Sequence, residues 1–305
     1  LQKTLNELVT LDGVGLHSGK PARLVLNPAP AGHGIVFRRS DLTADNEIAA
    51  LWSNVNQEPL NTRLVNEAGV SVATIEHLMA ALAGTGINNV LVEIDGPEVP
   101  ILDGSAAPFV KAIMTTGIKR QPAPLRVIEV LDTIEVLNGD AVARLSPATS
   151  LQIDFSIEFP DEAIGAQAKQ LNMANGAFVR ELCDSRTFCR NSDVIAMHKA
   201  GLALGGSLDN AVVVEGDQVL TPGGLRHDDE AVRHKMLDAL GDLYTAGAPI
   251  IGRYTGVRAG HALTNKLLRA MFDTPGAWRW VHCDATLSSR LPGVGVRLTD
   301  LAAVA

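Results

Sequence analysis

The run His234-Lys235-Met236-Leu237-Asp238, followed by Asp242, has residue types and a spacing that could do chemistry. Positions four apart stack along a helix, so His234, Asp238 and Asp242 would share one side. Val232, Met236, Leu240 and Leu243 recur beside them at helical spacing, which puts the polar row at the margin of a buried face. An imidazole and a carboxylate so placed can hold one divalent cation. An ordinary His–Asp pair on a solvated helix is the plain alternative, and a third group elsewhere must decide between them.

His77 is the candidate third group, the plain alternative being a favourable first-turn carboxylate at Glu76 beside a satisfied core-edge histidine. Thr74 reads as the N-cap of a helix whose apolar run, Leu78 to Leu82, ends at Gly84 and Gly86. In the first turn the helix dipole disfavours an imidazolium, which leaves His77 in the neutral form that binds metals. Adjacent Glu76 gains from the same field as an anion. A catalytic zinc site is built from three protein ligands and a water, with a carboxylate nearby as general base. Glu76 suits that base. His261, behind Gly260 and just ahead of a helix from Leu263 to Phe272, suits the acid that protonates a leaving group.

Such a site needs two distant helices to converge. The segments His77 to Gly84 (HLMAALAG) and His234 to Gly241 (HKMLDALG) match in length, helical character and terminal glycine. They suggest a duplicated unit. A pseudo-twofold junction between the two helices would bring His77 to His234 and Asp238.

The remaining elements fit that scheme. Arg23–Asn27, Gly34–Arg38 and residues 88–94 read as strands, and about 106–116 reads as a helix ending at Gly117. Gln121-Pro122-Ala123-Pro124 is the best linker. After it come strands through Ile157, then a helix near 176–183, then the helix carrying His234. Strands precede helices in each half, which is an α+β pattern. The expected fold is two similar domains, each a mainly antiparallel sheet packed on two helices, with the active site between them. Their bounds are 1–120 and 125–280, with a tail over 281–305. Residues 187–221 read as a small βαβ insertion in the second domain. Gly13 to Gly19 superficially suggests a dinucleotide loop, but the spacing is wrong and a strand follows. Those glycines would instead let a turn bring His17 near a site.

Bulk properties narrow the function. The chain has 305 residues, a formal net charge of -8 and three cysteines without a CxxC pair. The charge opposes a nucleic-acid partner. The cysteines oppose a disulfide framework or thiolate zinc site and fit a reducing, cytoplasmic setting. No uncharged apolar run is long enough to span a bilayer, and no secretory signal opens the chain.

Several motifs in order carry a resemblance. Gly13–Gly19 (GVGLHSG), Ile75–Leu78 (IEHL), Leu102–Val110 (LDGSAAPFV) and Ser185–Phe188 (SRTF) are followed by Gly205–Ser207 (GGS), Val232–Tyr244 (VRHKMLDALGDLY) and Gly260–Asn265 (GHALTN). Over nearly its whole length the chain resembles the LpxC family, UDP-3-O-acyl-N-acetylglucosamine deacetylases of lipid A biosynthesis. The resemblance implies Zn2+ held by His77, His234 and Asp238, with Glu76 as general base. It implies that His261, held by Asp242, protonates the departing amine, and that Thr187 hydrogen-bonds the oxyanion. Phe188 would pack on the sugar, Lys235 would meet the diphosphate, and His17 and Phe159 would lie near the site and the uracil. The products would be acetate and the deacetylated UDP-sugar, and the protein would act as a monomer. An amphiphilic substrate leaves room for transient contact with a membrane surface. The other class to weigh is a non-catalytic protein that binds a nucleotide sugar or acyl chain and carries a structural metal.

Three departures bear on substrate contacts. Arg190 and Asn191 replace an apolar pair in the insertion expected to sheathe the acyl chain. Arg258 stands where Lys is common, which keeps the charge but changes its geometry. A basic residue expected around Ala141 is absent, which shifts the diphosphate contact toward Arg144.

Overall fold

A computed structural model describes residues 1–57 and 60–301. The first half opens with β1 (Lys3–Leu5), β2 (Val9–Val14), β3 (Pro21–Pro28), β4 (Ile35–Arg39) and β5 (Glu47–Ala49). β3 shows why these segments extend. Ala22, Leu24 and Leu26 alternate inward while their neighbours face outward, the period of a half-buried strand. A small antiparallel sheet of β6 (Val55–Asn56), β7 (Arg63–Val65) and β8 (Ser71–Val72) leads to α1 (Glu76–Thr85), β9 (Val90–Ile94), α2 (Ala107–Thr116) and β10 (Ile118–Arg120).

The second half begins with β11 (Arg126–Val130), β12 (Ile134–Asn138), β13 (Ala141–Ser146), β14 (Leu151–Glu158) and β15 (Ala166–Asn172). The short α3 (Ala177–Glu181) precedes the insertion, which comprises β16 (Phe188–Arg190), α4 (Asn191–Lys199), β17 (Val212–Glu215) and β18 (Gln218–Val219). Then follow α5 (Glu230–Tyr244), β19 (Ile250–Val257), α6 (His261–Phe272), β20 (Trp278–His282) and α7 (Ala285–Ser288).

The pairing repeats with an offset of ten strands. The first sheet runs β2-β3-β9-β4-β5, and the second contains β12-β13-β19-β14-β15. In both, the strand after the long helix is antiparallel to one neighbour and parallel to the other. β1 pairs with β10 as β11 pairs with β20, and β11 also joins the second sheet alongside β19. The molecule is thus α+β, with mostly antiparallel sheets and two similar sheet-and-helix halves. Most of the buried apolar side chains form one core that crosses both. The insertion is a βαβ unit, β16 lying parallel to β17, with β18 as an added hairpin strand.

α1 and α5, one from each half, pack directly on each other. Gly241 makes the close approach: a methyl there would sit 2.1 Å from the Glu76 carbonyl oxygen and 3.0 Å from the Ala80 nitrogen. The helix does not end at this glycine but runs on to Tyr244. At the other helix, Thr74 is no N-cap. It sits at φ 58°, before the helix, and donates its hydroxyl to Glu98 Oε1 (3.0 Å). Ile75 occupies the cap position, and no side chain caps that end. β20 extends through residues 281 and 282, and positions 302–305 lie outside the described residues.

Candidate active site

The α1–α5 crossing places His77 in the first turn of one helix against His234 and Asp238 on the other. Their ligand atoms lie within 4.8 Å of one another, and all three residues are buried. His77 Nε2 is 3.6 Å and His234 Nε2 3.3 Å from Asp238 Oδ1. The two rings meet edge to face, with centroids 4.9 Å apart. His234 Nδ1 bonds the Ser185 carbonyl (3.0 Å), which requires a proton on Nδ1 and turns the Nε2 lone pair toward the cluster.

Charge states suit a cation. Burial, then the neighbouring His234, pushes His77 down to about 3, and burial also lowers His234. Both rings are therefore neutral near pH 7. Burial opposes a charged Asp238, but His234, Lys235, His261 and His77 hold it ionised well below the usual carboxylate range. Its Oδ2 accepts from Lys235 Nζ (2.8 Å), whereas its buried Oδ1 has no hydrogen-bond partner. A buried carboxylate oxygen left bare between two imidazole nitrogens is costly unless something cationic completes it. His77, His234 and Asp238 thus fit a divalent metal ion.

Beside this cluster lies an acid–base pair. Glu76 Oε1 is 3.9 Å from His261 Nε2, which is also 3.9 Å from Asp238 Oδ2. Burial raises the Glu76 carboxyl to about 7, opposed by His261 and reinforced by Asp238 and Asp242. His261 Nδ1 bonds Asp242 Oδ2 at 2.9 Å. Burial works against the imidazolium, but Asp242, Glu76 and Asp238 together raise His261 to about 9. The site therefore holds a carboxylate that can accept a proton near neutrality and an imidazolium that can donate one.

The groove in front of these groups has a volume of about 860 Å³ and a mainly apolar lining. Thr187, Phe188, Phe159, His17 and Lys235 all line it with His234, Asp238 and His261. Phe188 packs edge-on against Phe159 (5.4 Å between centroids) and lies 6.2 Å from the His234 ring. Glu98, buried beneath the Gly13–Gly19 turn, accepts the backbone N–H groups of His17 and Ser18 (2.8 Å each). The insertion closes onto that turn through Gly205 N to Leu16 O (3.0 Å) and Leu204 N to His17 O (3.2 Å).

Arg258 is not brought to this set. Its guanidinium bonds Glu158 and lies 3.8 Å from Asp140, away from the groove lining. Arg144 is likewise engaged, by Glu135. Arg190 and Asn191 do line the groove, but Asp161 takes the Arg190 guanidinium and Glu215 the Asn191 amide (2.9 Å). Burial pushes the Cys189 thiol, on the same wall, up to about 11.

One residue absent from the sequence-based set ties the Glu76 carboxylate to the anion that holds His261. Thr62 donates its backbone N–H to Glu76 Oε2 (3.0 Å) and its hydroxyl to Asp242 Oδ1 (2.5 Å). Glu98 was equally invisible. Neither sits in a recognisable chemical spacing, and no local signal would have selected them.

Fold and site together define a duplicated α+β protein with a buried His–His–Asp cluster and a Glu–His pair where the halves meet. Comparison with known proteins narrows this. The family model described as "LpxC: UDP-3-O-acyl N-acetylglycosamine deacetylase" matches residues 2–273. A Phenylobacterium zucineum (strain HLK1) protein is 50% identical over 279 residues, covering 91% of this chain and 95% of that one. A Stenotrophomonas maltophilia (strain K279a) protein is 46% identical over 287 residues, covering 93% and 94%. One from Myxococcus xanthus (strain DK1622) is 45% identical over 301 residues, covering 99% and 95%. Each of the three is named UDP-3-O-acyl-N-acetylglucosamine deacetylase. The chain belongs to the LpxC family.

Proposed function

We propose that this protein is a zinc-dependent deacetylase that hydrolyses the N-acetyl group of UDP-3-O-acyl-N-acetylglucosamine, releasing acetate, in lipid A biosynthesis. The observation that carries the reading is the bare Asp238 Oδ1 between two imidazole nitrogens, with a proton acceptor and a proton donor alongside. His77, His234 and Asp238 would hold the ion. A zinc ion there supplies Lewis acidity toward the amide carbonyl and makes water a better nucleophile at neutral pH. Glu76 takes the proton of the attacking water, a task suited to a carboxyl raised to about 7. His261, kept cationic by Asp242, protonates the departing amine. The Thr187 hydroxyl steadies the charge that develops on the carbonyl oxygen.

The groove accommodates the rest of the substrate. Of the residues lining it, Phe188 would pack on the sugar, Phe159 and His17 would lie toward the nucleotide and the reacting end, and Lys235, whose Nζ rests on Asp238 Oδ2, would meet the diphosphate. The apolar wall of the insertion receives the acyl chain. We read the halves as domains over 1–120 and 125–280 joined near 121–124, and place the reaction in the cytoplasm of a monomeric protein. No described helix is long and apolar enough to cross a membrane. A structural metal would call for a fourth protein ligand, whereas the cluster among the described residues numbers three.

Two experiments test this. Stripping the metal with a chelator is expected to abolish acetate release, and stoichiometric zinc to restore it. Full turnover by metal-free protein would refute the assignment. In pH profiles, kcat/KM should rise as Glu76 ionises near 7 and fall as His261 loses its proton near 9. Removing the anion that holds that proton, by Asp242→Asn, should move the alkaline limb to lower pH. An unmoved limb would take His261 out of the acid role.

A further inference from the structure

Two successive turns of α5 grip the residues just before Thr187. His234 bonds the Ser185 carbonyl, and one turn earlier Glu230 binds Arg186. Glu230 Oε1 accepts the backbone N–H and the Nε of Arg186 (2.9 Å each). Its Oε2 accepts Arg186 Nη2 (3.1 Å) and the backbone N–H of Arg226 (2.7 Å). Glu230 is 1% and Arg186 7% exposed, so this is a buried pair with four donors on one carboxylate. Burial opposes the Glu230 charge, yet those donors hold its carboxyl below the usual glutamate range.

Thr187 itself is tied to the other parts of the molecule. Its N–H donates to Gly104 in the first half (2.8 Å), and its carbonyl accepts from Val212 in the insertion (2.8 Å). Arg226 closes the ring by donating to Asp103 (3.0 Å) and to the Asp184 carbonyl (2.7 Å). Gly104 admits no side chain here, since a methyl would lie 2.0 Å from the Asn210 carbonyl oxygen. The only charged, fully buried link from the helix bearing His234 and Asp238 to the 185–187 segment, among the described residues, is Glu230 with Arg186.

We propose that Glu230, through Arg186, is a positioning residue that fixes the Thr187 hydroxyl relative to His234 and Asp238. It touches no substrate. Its work is to keep the donor to the developing oxyanion in register with the helix that carries the ligands. The inference rests on the oxyanion role of Thr187 proposed above, and the test separates the two.

The experiment compares Glu230→Gln, Arg186→Lys, Thr187→Ala and the Glu230→Gln/Thr187→Ala double variant in the zinc-loaded protein, by kcat, KM and zinc content. Loss of an oxyanion donor costs about 10²–10³ in kcat, which sets the expectation for Thr187→Ala. Glu230→Gln should lower kcat roughly 10–100-fold, the scale of outer-shell partners, with KM within about threefold and zinc retained. Arg186→Lys should behave alike, because an ammonium cannot reproduce the guanidinium fork; it carries the test if the glutamine variant fails to fold. In the double variant, Glu230→Gln should cost no more than about threefold beyond Thr187→Ala, since both act through one group. Parental kcat in Glu230→Gln and Arg186→Lys, or losses that multiply in the double variant, would reduce Glu230 to a purely structural residue. Parental kcat in Thr187→Ala would overturn the oxyanion role itself, and the inference with it.

Discussion

Replacing Glu76 with Gln is expected to lower kcat by about 10²–10⁴ while the protein keeps its metal and nearly its full substrate affinity. The side chain is buried, its Oε2 is anchored by the Thr62 N–H, and its other oxygen faces His261. An amide of the same size preserves that anchor and the packing but cannot take a proton from water. Glu76 is also distinct from the ligand set, so zinc content should stay at the parental level. Measurement of acetate release beside bound zinc checks both halves of the expectation. Parental turnover in this variant would show that the proton goes elsewhere, and simultaneous loss of zinc would show that Glu76 belongs among the ligands.

The second large effect is expected at a residue that carries no side chain. Gly241→Val should cost at least about 100-fold in turnover and most of the bound zinc. The Cβ alone would lie 2.1 Å from the Glu76 carbonyl oxygen, and that neighbour is helix backbone rather than the mobile end of a side chain. Something must move, and what moves is α1 against α5. Their separation sets the distance from His77 to Asp238, so even a 1 Å displacement misplaces His77, Asp238 and Glu76 together. Overpacking of this kind usually costs about 1–3 kcal/mol of stability, enough to weaken but not unfold most domains. Circular dichroism should thus remain native-like while the metal site fails. A valine variant with parental zinc affinity and kcat would mean that the crossing does not govern the site.

The parts of this architecture legible in the sequence were those with a local period or spacing. Arg23–Asn27 read as a strand and lies within the observed Pro21–Pro28, and the His234–Asp238 interval put both side chains on one helix face. The likeness of HLMAALAG and HKMLDALG pointed to a duplication, which the strand pairing displays in full. What stayed hidden depends on residues remote in the chain. Thr62 meets Asp242 across 180 positions, and nothing in Asn61-Thr62-Arg63 announces it. Thr74 looked like a helix cap because its type suits one. Glu98 supplies a buried acceptor that competes for the same hydroxyl, and the helix starts two residues later. Arg258 carries the charge expected of a substrate contact, but Glu158 at the end of the neighbouring strand β14 absorbs it.

Every residue of α1, from Glu76 to Thr85, is buried. A surface helix normally keeps one wet face; this one has none. Helices from both halves enclose it, and the tail reaches it too, Gly293 lying against Thr85 and Gly86. Neither half can shelter this segment unaided, so thermal denaturation should proceed as a single cooperative event rather than domain by domain. An ion bound to its first turn then raises the melting temperature of the entire chain by mass action, not merely that of the pocket.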